Sequence, residues 1–209
     1  VESLKKCLKA IEQSAYTNYE VIIVENNSTE EATFSLYKKI ESDKIRVVYY
    51  PDAFNYSKLN NFGVSYANGT YYILMNNDIE VIETNWIEQM LSNCERREVG
   101  VVGARLYYPD NTIQHAGLVV GVGGSLRGIG ANLYQGMRRE RSGYMHRAAI
   151  QMNYSAVTAA LLMVKKEVYD KVNGFEEELS VAFNDVDFCL RVREAGYLIV
   201  YDPRVEAYH

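Results

Sequence analysis

Val21-Ile22-Ile23-Val24-Glu25-Asn26-Asn27-Ser28-Thr29 is the stretch whose reading decides the fold. Four β-branched residues in a row leave no polar face, which marks a strand covered on both sides, and the run stops at a polar cluster. The same pattern returns at Tyr71-Tyr72-Ile73-Leu74-Met75, which ends in Asn76-Asn77-Asp78. Segments of helical period lie around these runs. Leu4, Cys7, Leu8 and Ile11 recur at the spacing of an amphipathic helix over residues 3 to 14. Residues 30 to 41 and 57 to 67 carry the same period, the second stopped by Asn68-Gly69, and between them Ile45 to Tyr50 reads as a short strand halted by Pro51. Strand and helix alternating through short connections predict an α/β fold, a doubly wound and mostly parallel central sheet with helices on both faces.

Further along, a helix at about 84 to 95 precedes a strand at about 99 to 103. Residues 105 to 152 then hold many glycines and arginines, including Gly121-Val122-Gly123-Gly124, Gly128 and Gly130, and read as hairpins and a mobile loop. Regular patterning resumes with an apolar run at 156 to 164, helices around 165 to 172 and 185 to 195, and a strand from Leu198 to Tyr201. No internal repeat and no Pro/Ser linker divides the chain, so residues 1 to 209 are expected to form one domain.

Composition narrows the function classes. At 209 residues the chain is long enough for one packed core, and 48% hydrophobic with 23% charged residues excludes a disordered or collagen-like protein. Its 22 Lys+Arg against 27 Asp+Glu leave a net charge of -5, which argues against nucleic acid as a partner, because binding to phosphates needs a surplus of cations. Cys7, Cys94 and Cys189 are an odd number without C-x-x-C spacing; they fit neither a disulfide framework nor a zinc ribbon and suit a reducing, cytoplasmic setting. The longest apolar runs, such as Ala159 to Val164, are far short of the ~20 residues that cross a bilayer, and the first residues do not pattern as a signal peptide. Tyrosine supplies 18 of the aromatic residues, which suits sugar-binding surfaces and half-buried strands alike.

Three clusters of acids and amides bear on chemistry: Glu25-Asn26-Asn27, Asn76-Asn77-Asp78-Ile79-Glu80 and Asn184-Asp185-Val186-Asp187. In a parallel sheet the first two would fall at the carboxyl ends of strands, where such folds bind ligands. Two roles are open to carboxylates gathered there. They can hold a divalent cation through hard oxygen ligands, leaving positions free for substrate phosphates, or they can end strands and cap helices.

Val24-Glu25-Asn26-Asn27-Ser28-Thr29, Asn55-Tyr56-Ser57-Lys58-Leu59-Asn60-Asn61-Phe62-Gly63, Leu74-Met75-Asn76-Asn77-Asp78-Ile79-Glu80-Val81 and Phe183-Asn184-Asp185-Val186-Asp187-Phe188-Cys189-Leu190-Arg191 follow one another in order and spacing. Together they resemble glycosyltransferase family 2, inverting enzymes of the GT-A fold, and within it the bacterial branch that builds O-antigen, rhamnan and other cell-surface polysaccharides. The resemblance implies transfer of a sugar from a UDP- or dTDP-sugar to a hydroxyl of a saccharide or lipid-linked saccharide acceptor, aided by Mn²⁺ or Mg²⁺. It implies that Glu25 and Asn26 contact the nucleotide base and ribose, that Asn61 lies beneath the nucleotide with Gly63 allowing close packing, and that Lys58 supplies positive charge to the diphosphate. Asn76-Asn77-Asp78 matches the family's Asp-x-Asp position, with Asp78 as metal ligand and Asn76 and Asn77 beside the nucleotide-sugar. Asp185 matches the catalytic base, which the chemistry requires because a hydroxyl is a poor nucleophile until its proton is taken. Asp187 and Arg191 are expected to orient that base or to stabilise the helix start, and His209 to complete the metal or diphosphate site.

The resemblance also divides the chain into a nucleotide-sugar half, about 1 to 103, and an acceptor half, about 104 to 209. It implies that the family's first strand, before Ser3, is absent. Two features stay open. His115, in Ile113-Gln114-His115-Ala116-Gly117, either lines a sugar pocket or is a hydrogen-bonded structural residue. Arg127, Arg138, Arg139, Arg141 and Arg147 form a lid over the diphosphate, a peripheral contact with a membrane surface or an anionic acceptor, or a solvated loop. The rival of a different class is a catalytically weak nucleotide-sugar or glycan-binding module, which Asn76 and Asn184, standing where the family often has acids, keep open.

Overall fold

A computed structural model describes residues 1–121 and 130–209; Val122, Gly123, Gly124, Arg127 and Gly128 of the glycine- and arginine-rich stretch lie outside the described residues. The helices are α1 (Glu2–Glu12), α2 (Glu31–Ile40), α3 (Tyr56–Val64), α4 (Trp86–Cys94), α5 (Lys166–Lys171) and α6 (Asn184–Glu194). The strands are β1 (Val21–Glu25), β2 (Ile45–Tyr49), β3 (Tyr71–Met75), β4 (Glu80–Val81), β5 (Val99–Tyr107), β6 (Ile113–His115), β7 (Leu118–Val120), β8 (Gly130–Asn132), β9 (Met152–Asn153), β10 (Leu161–Lys165) and β11 (Leu198–Tyr208). The helical periods read from the sequence translate directly into packing: α1 buries Leu4, Cys7 and Leu8. Helix α3 begins where Asn55 Oδ1 accepts the Lys58 amide at 3.0 Å, a side-chain N-cap.

The α/β architecture stands, but its strand directions are mixed rather than mostly parallel. Strands β1 and β2 pair in parallel as a sheet of their own. The central sheet runs β3-β10-β5-β11-β4; β5 and β11 are parallel, whereas β10 is antiparallel to both β3 and β5, and β4 is antiparallel to β11. Strand β10, from the second half of the chain, inserts between β3 and β5. Apolar runs report that a strand is covered on both faces, and burial reads the same in either direction. Strand β6 continues the sheet beside β5, β9 pairs with β11, and β7 with β8 forms a hairpin.

Strand β11 is much longer than the four residues the sequence suggests, running on to Tyr208. Its register on β5 shifts between Asp202 and Glu206, and this irregularity takes up Pro203, which lacks an amide to donate. Strand β5 is buried throughout and crosses residue 103 without a break, so both halves of the chain share one sheet. One face of that sheet packs Val101, Leu162 and Val164 against Val168, Phe175 and Phe188; the other packs Val102, Leu161 and Met163 against Trp86, Ile87 and Met90. A smaller cluster of Leu4, Leu8, Tyr37 and Val47 lies around β1 and β2. Among the described residues no helix is long and apolar enough to cross a membrane.

Candidate active site

The chain leaves β3 in a tight turn. The Asn76 amide donates to the Ala160 carbonyl at 2.9 Å and the Ile79 amide to the Asn76 carbonyl at 3.3 Å, leaving Asn77 and Asp78 exposed at the end of the strand. His209 arrives at the same place from the end of β11, held by its amide on the Tyr107 carbonyl at 3.0 Å. Its Nε2 stands 3.4 Å from Asp78 Oδ1 and 3.0 Å from Asn76 Nδ2. A carboxylate, an imidazole nitrogen and an amide thus converge from the ends of β3 and β11. Among the described residues no group of three His, Cys, Asp or Glu side chains gathers into a closed metal cage. This donor set fits a divalent cation held by few protein ligands, with coordination positions left for phosphate oxygens.

Asp185 lies in the first turn of α6, where Oδ1 accepts the Val186 amide at 2.8 Å and Oδ2 the Ala159 amide at 3.4 Å. Burial outweighs these hydrogen bonds and raises its carboxyl above the ordinary aspartate range. Phe183, in the left-handed region at φ 63°, turns the chain into α6. Asn184 is buried; its Oδ1 accepts the Asp185 amide at 2.8 Å, while its Nδ2 has no hydrogen-bond partner among the described residues. The turn before β10 links the two sides of the site. Ala159 holds Asp185 by its amide and, by its carbonyl, the Tyr56 hydroxyl at 2.9 Å; its neighbour Ala160 holds Asn76.

The same turn settles the role of His115. The Thr158 amide donates to His115 Nε2 at 3.3 Å, and Nδ1 lies 2.6 Å from Asn132 Oδ1. Fully buried, the ring has its pKa pushed down to about 4, so it is a neutral, hydrogen-bonded structural histidine. Asp187 and Arg191 do not reach Asp185. They form an ion pair at 2.7 Å, and the guanidinium donates to the carbonyls of Val172 and Gly174, tying α6 to the turn after α5.

The other residues singled out from the sequence make no hydrogen bond to Asp78, Asp185 or His209 among the described residues. Glu25 is buried and accepts hydrogen bonds from the Ser28 amide, the Ser28 hydroxyl at 2.8 Å and the Tyr37 hydroxyl at 2.6 Å. Asn26 Nδ2 donates to the carbonyls of Tyr50 at 3.2 Å and Asp52 at 2.8 Å, locking the loop after β2 onto the end of β1. Asn61 is fully engaged: Nδ2 donates to the Phe175 carbonyl and Glu177 Oε1, and Oδ1 accepts from the Tyr169 hydroxyl and the Phe175 amide. Lys58 is half-buried in the first turn of α3 and makes no ion pair among the described residues. A Cβ at Gly63 would lie 2.8 Å from Val24 Cγ2, so α3 packs on β1 at a distance only glycine allows.

The arginines divide. Arg138, Arg141 and Arg147 are exposed, whereas Arg139 stacks over the Tyr107 ring and pairs with Glu206 at 2.9 Å. Tyr107 itself is buried, donating its hydroxyl to Glu206. Sequence reasoning overlooked Tyr56, the backbone of Thr158 to Ala160, and Gln114, which grips His209 through its carbonyl and its ring. Tyr56 left a trace inside the Asn55–Gly63 segment, and Gln114 as the neighbour of His115.

A family model described as glycosyl transferase family 2 matches residues 1–116. Protein y4gI of Sinorhizobium fredii is 48% identical over 200 residues, covering 94% of this chain and 22% of that protein. The O-antigen biosynthesis protein RfbC of Myxococcus xanthus is 32% identical over 197 residues, 94% of this chain and 15% of that protein. The chain therefore spans less than a quarter of the length of either curated relative. Among solved structures, a mannosyltransferase from Pyrobaculum calidifontis in complex with GDP-Man and Mn²⁺ superposes with a TM-score of 0.72 at 14% identity, covering 100% of this chain and 53% of that one. GalNAc-T7 with UDP, GalNAc and Mn²⁺ gives 0.75 at 11%, covering 97% and 40%. These likenesses establish the fold as that of GT-A glycosyltransferases, and with the match over more than half its length the chain belongs to glycosyl transferase family 2.

Proposed function

We propose that the chain is the catalytic domain of an inverting glycosyltransferase, moving a sugar from a nucleoside-diphosphate sugar to a hydroxyl of a saccharide acceptor in the synthesis of a cell-surface polysaccharide. The observation that carries this reading is that Asp185 and the Asn76–Asp78–His209 group are held by the adjacent residues Ala159 and Ala160. A proton acceptor and an anchor for a charged leaving group are what the reaction needs side by side.

In this mechanism Asp185 accepts the proton of the acceptor hydroxyl as that oxygen bonds to C1 of the donor sugar. The C1–phosphate bond breaks, its electron pair leaves on the nucleoside diphosphate, and attack from the opposite face inverts the anomeric centre. A divalent cation, when bound, spreads the charge that develops on the diphosphate. Asp78 and His209 would hold it, with the donor's own phosphate oxygens completing the coordination. The raised proton affinity of Asp185 brings it closer to working pH than an ordinary aspartate, which improves a general base. The Mn²⁺ in the two solved neighbours and the O-antigen role of the Myxococcus xanthus relative support the cofactor and the pathway class.

The test is to incubate the protein with UDP-, dTDP- and GDP-sugars, Mn²⁺ or Mg²⁺ and saccharide acceptors, and to read nucleoside diphosphate release and the anomeric configuration of any product by NMR. Metal-dependent release with inversion is expected. Retention of configuration would overturn the single-displacement mechanism, and tight nucleotide-sugar binding without turnover would mark a binding module.

A further inference from the structure

Gln114 touches His209 twice. Its Nε2 lies 3.3 Å from the His209 main-chain oxygen and its Oε1 lies 2.7 Å from Nδ1 of the ring. These contacts leave one consistent arrangement of hydrogens. A main-chain oxygen can only accept, so the amide end facing it must be the NH₂ group. The other end is then the carbonyl oxygen, an acceptor, and the Nδ1 facing it must carry the proton. With Nδ1 protonated, the neutral ring presents a lone pair at Nε2, the nitrogen that lies 3.0 Å from Asn76 Nδ2 and 3.4 Å from Asp78 Oδ1.

The clasp rests on rigid elements. Ile113 and His115 are buried on one face of β6, which places Gln114 between them on the other. Tyr107 at the end of β5 pairs with Ile113 of β6 and also accepts the His209 amide at 3.0 Å, so one residue of β5 sets the distance between Gln114 and His209. Asn76 has no other side-chain partner among the described residues, so its amide can donate to the Nε2 lone pair or turn its oxygen toward a cation placed there.

We infer that Gln114 is a positioning residue that fixes the Nδ1–H tautomer of His209 and aims its Nε2 lone pair at the space beside Asp78 where a divalent cation is held. This inference rests on the reading of Asp78 and His209 as the cation-holding pair; the tautomer assignment does not. Partners in this position usually alter metal affinity by about 10- to 100-fold.

The experiment uses the metal alone and needs no donor or acceptor. Long-range ¹H–¹⁵N correlation spectra of histidine-labelled protein identify the His209 ring as the signal lost in His209→Gln, and free Mn²⁺ is followed by EPR during titration. The wild type is expected to show the Nδ1–H tautomer and to bind Mn²⁺. Gln114→Glu keeps an acceptor for Nδ1–H but loses the donor to the His209 main-chain oxygen, and is expected to keep the tautomer with a smaller loss of Mn²⁺ affinity than Gln114→Met, which should lose the tautomer preference and about 10- to 100-fold in affinity. A folded Gln114→Met protein with wild-type tautomer and affinity would overturn the inference, as would an Nε2–H tautomer in the wild type. Absence of Mn²⁺ binding in the wild type would instead overturn the cation-holding role of Asp78 and His209, and the spectra would still decide the Gln114 assignment.

Discussion

At the scale of single residues, two buried titratable groups pull stability in opposite directions. Asp185 has a raised pKa because burial penalises its charge, so the folded state holds the proton more tightly than the unfolded chain. Its stabilising contribution is present below the ordinary carboxylate range and is lost as pH rises through the folded value. Asp185→Asn is therefore expected to raise Tm at pH 7 by a few degrees, the scale that about 1 kcal/mol produces in a domain of this size, and the gain should vanish below about pH 4. His115 behaves in the reverse sense. Its pKa is pushed from an unfolded value of about 6.5 down to about 4, so the stability it supports is complete above 6.5 and falls away as the pH drops toward 4. At about 1.4 kcal/mol per unit, the loss over that window is about 3 kcal/mol. Urea unfolding between pH 7 and pH 4 should show this loss in the wild type and a flatter profile in His115→Gln; equal profiles would remove His115 as the source.

Elements show where a sequence speaks and where it is silent. The polar ends of β1 and β3 are legible because an apolar run cannot continue into Glu25-Asn26 or Asn76-Asn77, and α1, α2 and α3 are legible from their spacing. The direction of β10 is not legible, since its covered run carries no sign of which neighbours it joins, and the bulge that lets β11 pass Pro203 is a tertiary accommodation. Asn76, Asp78, Asp185 and His209 stand out in the sequence one by one, yet the main-chain groups of Ala159 and Ala160 that hold Asp185 and Asn76 do not, because their side chains give no hint of that role. Glu25 and Asn61 are legible as acid and amide at the end of a strand and in a helix, but not the Tyr37, Ser28, Tyr169 and Phe175 groups that they hydrogen-bond, because those partners lie on other elements or further along the loop. The α3–β1 contact gives a test at this scale. Alanine at position 63 favours the helix by about 0.5–1 kcal/mol, but the overlap with Val24 costs about 1–3 kcal/mol, so Gly63→Ala should be destabilising on balance. A double-mutant cycle with Val24→Ala should recover part of that loss as a coupling of about 0.5–3 kcal/mol, and strict additivity would mean the helix does not press on Val24.

The whole molecule carries on its central mixed sheet a candidate site assembled from Asn76–Asp78, the turn before β10, the start of α6 and the end of β11. Its thiols are sealed: Cys7, Cys94 and Cys189 are all buried and unpaired, and burial pushes each up to about 12. The native protein is accordingly expected to leave all of them unreactive toward a thiol reagent at pH 8 until it unfolds, and rapid native labelling would indicate a looser fold. The proposed function divides the site's work between binding and proton transfer, and this division is open to one measurement. Mn²⁺-dependent nucleoside diphosphate affinity and turnover are determined for the wild type, Asp185→Asn and Asp78→Asn. Asp185→Asn should lose about 10²- to 10⁴-fold in turnover while nucleotide affinity stays within about threefold, and Asp78→Asn should lose Mn²⁺-dependent affinity. Turnover that survives Asp185→Asn, or nucleotide affinity that falls with it as far as with Asp78→Asn, would contradict the assignment of Asp185 as the base.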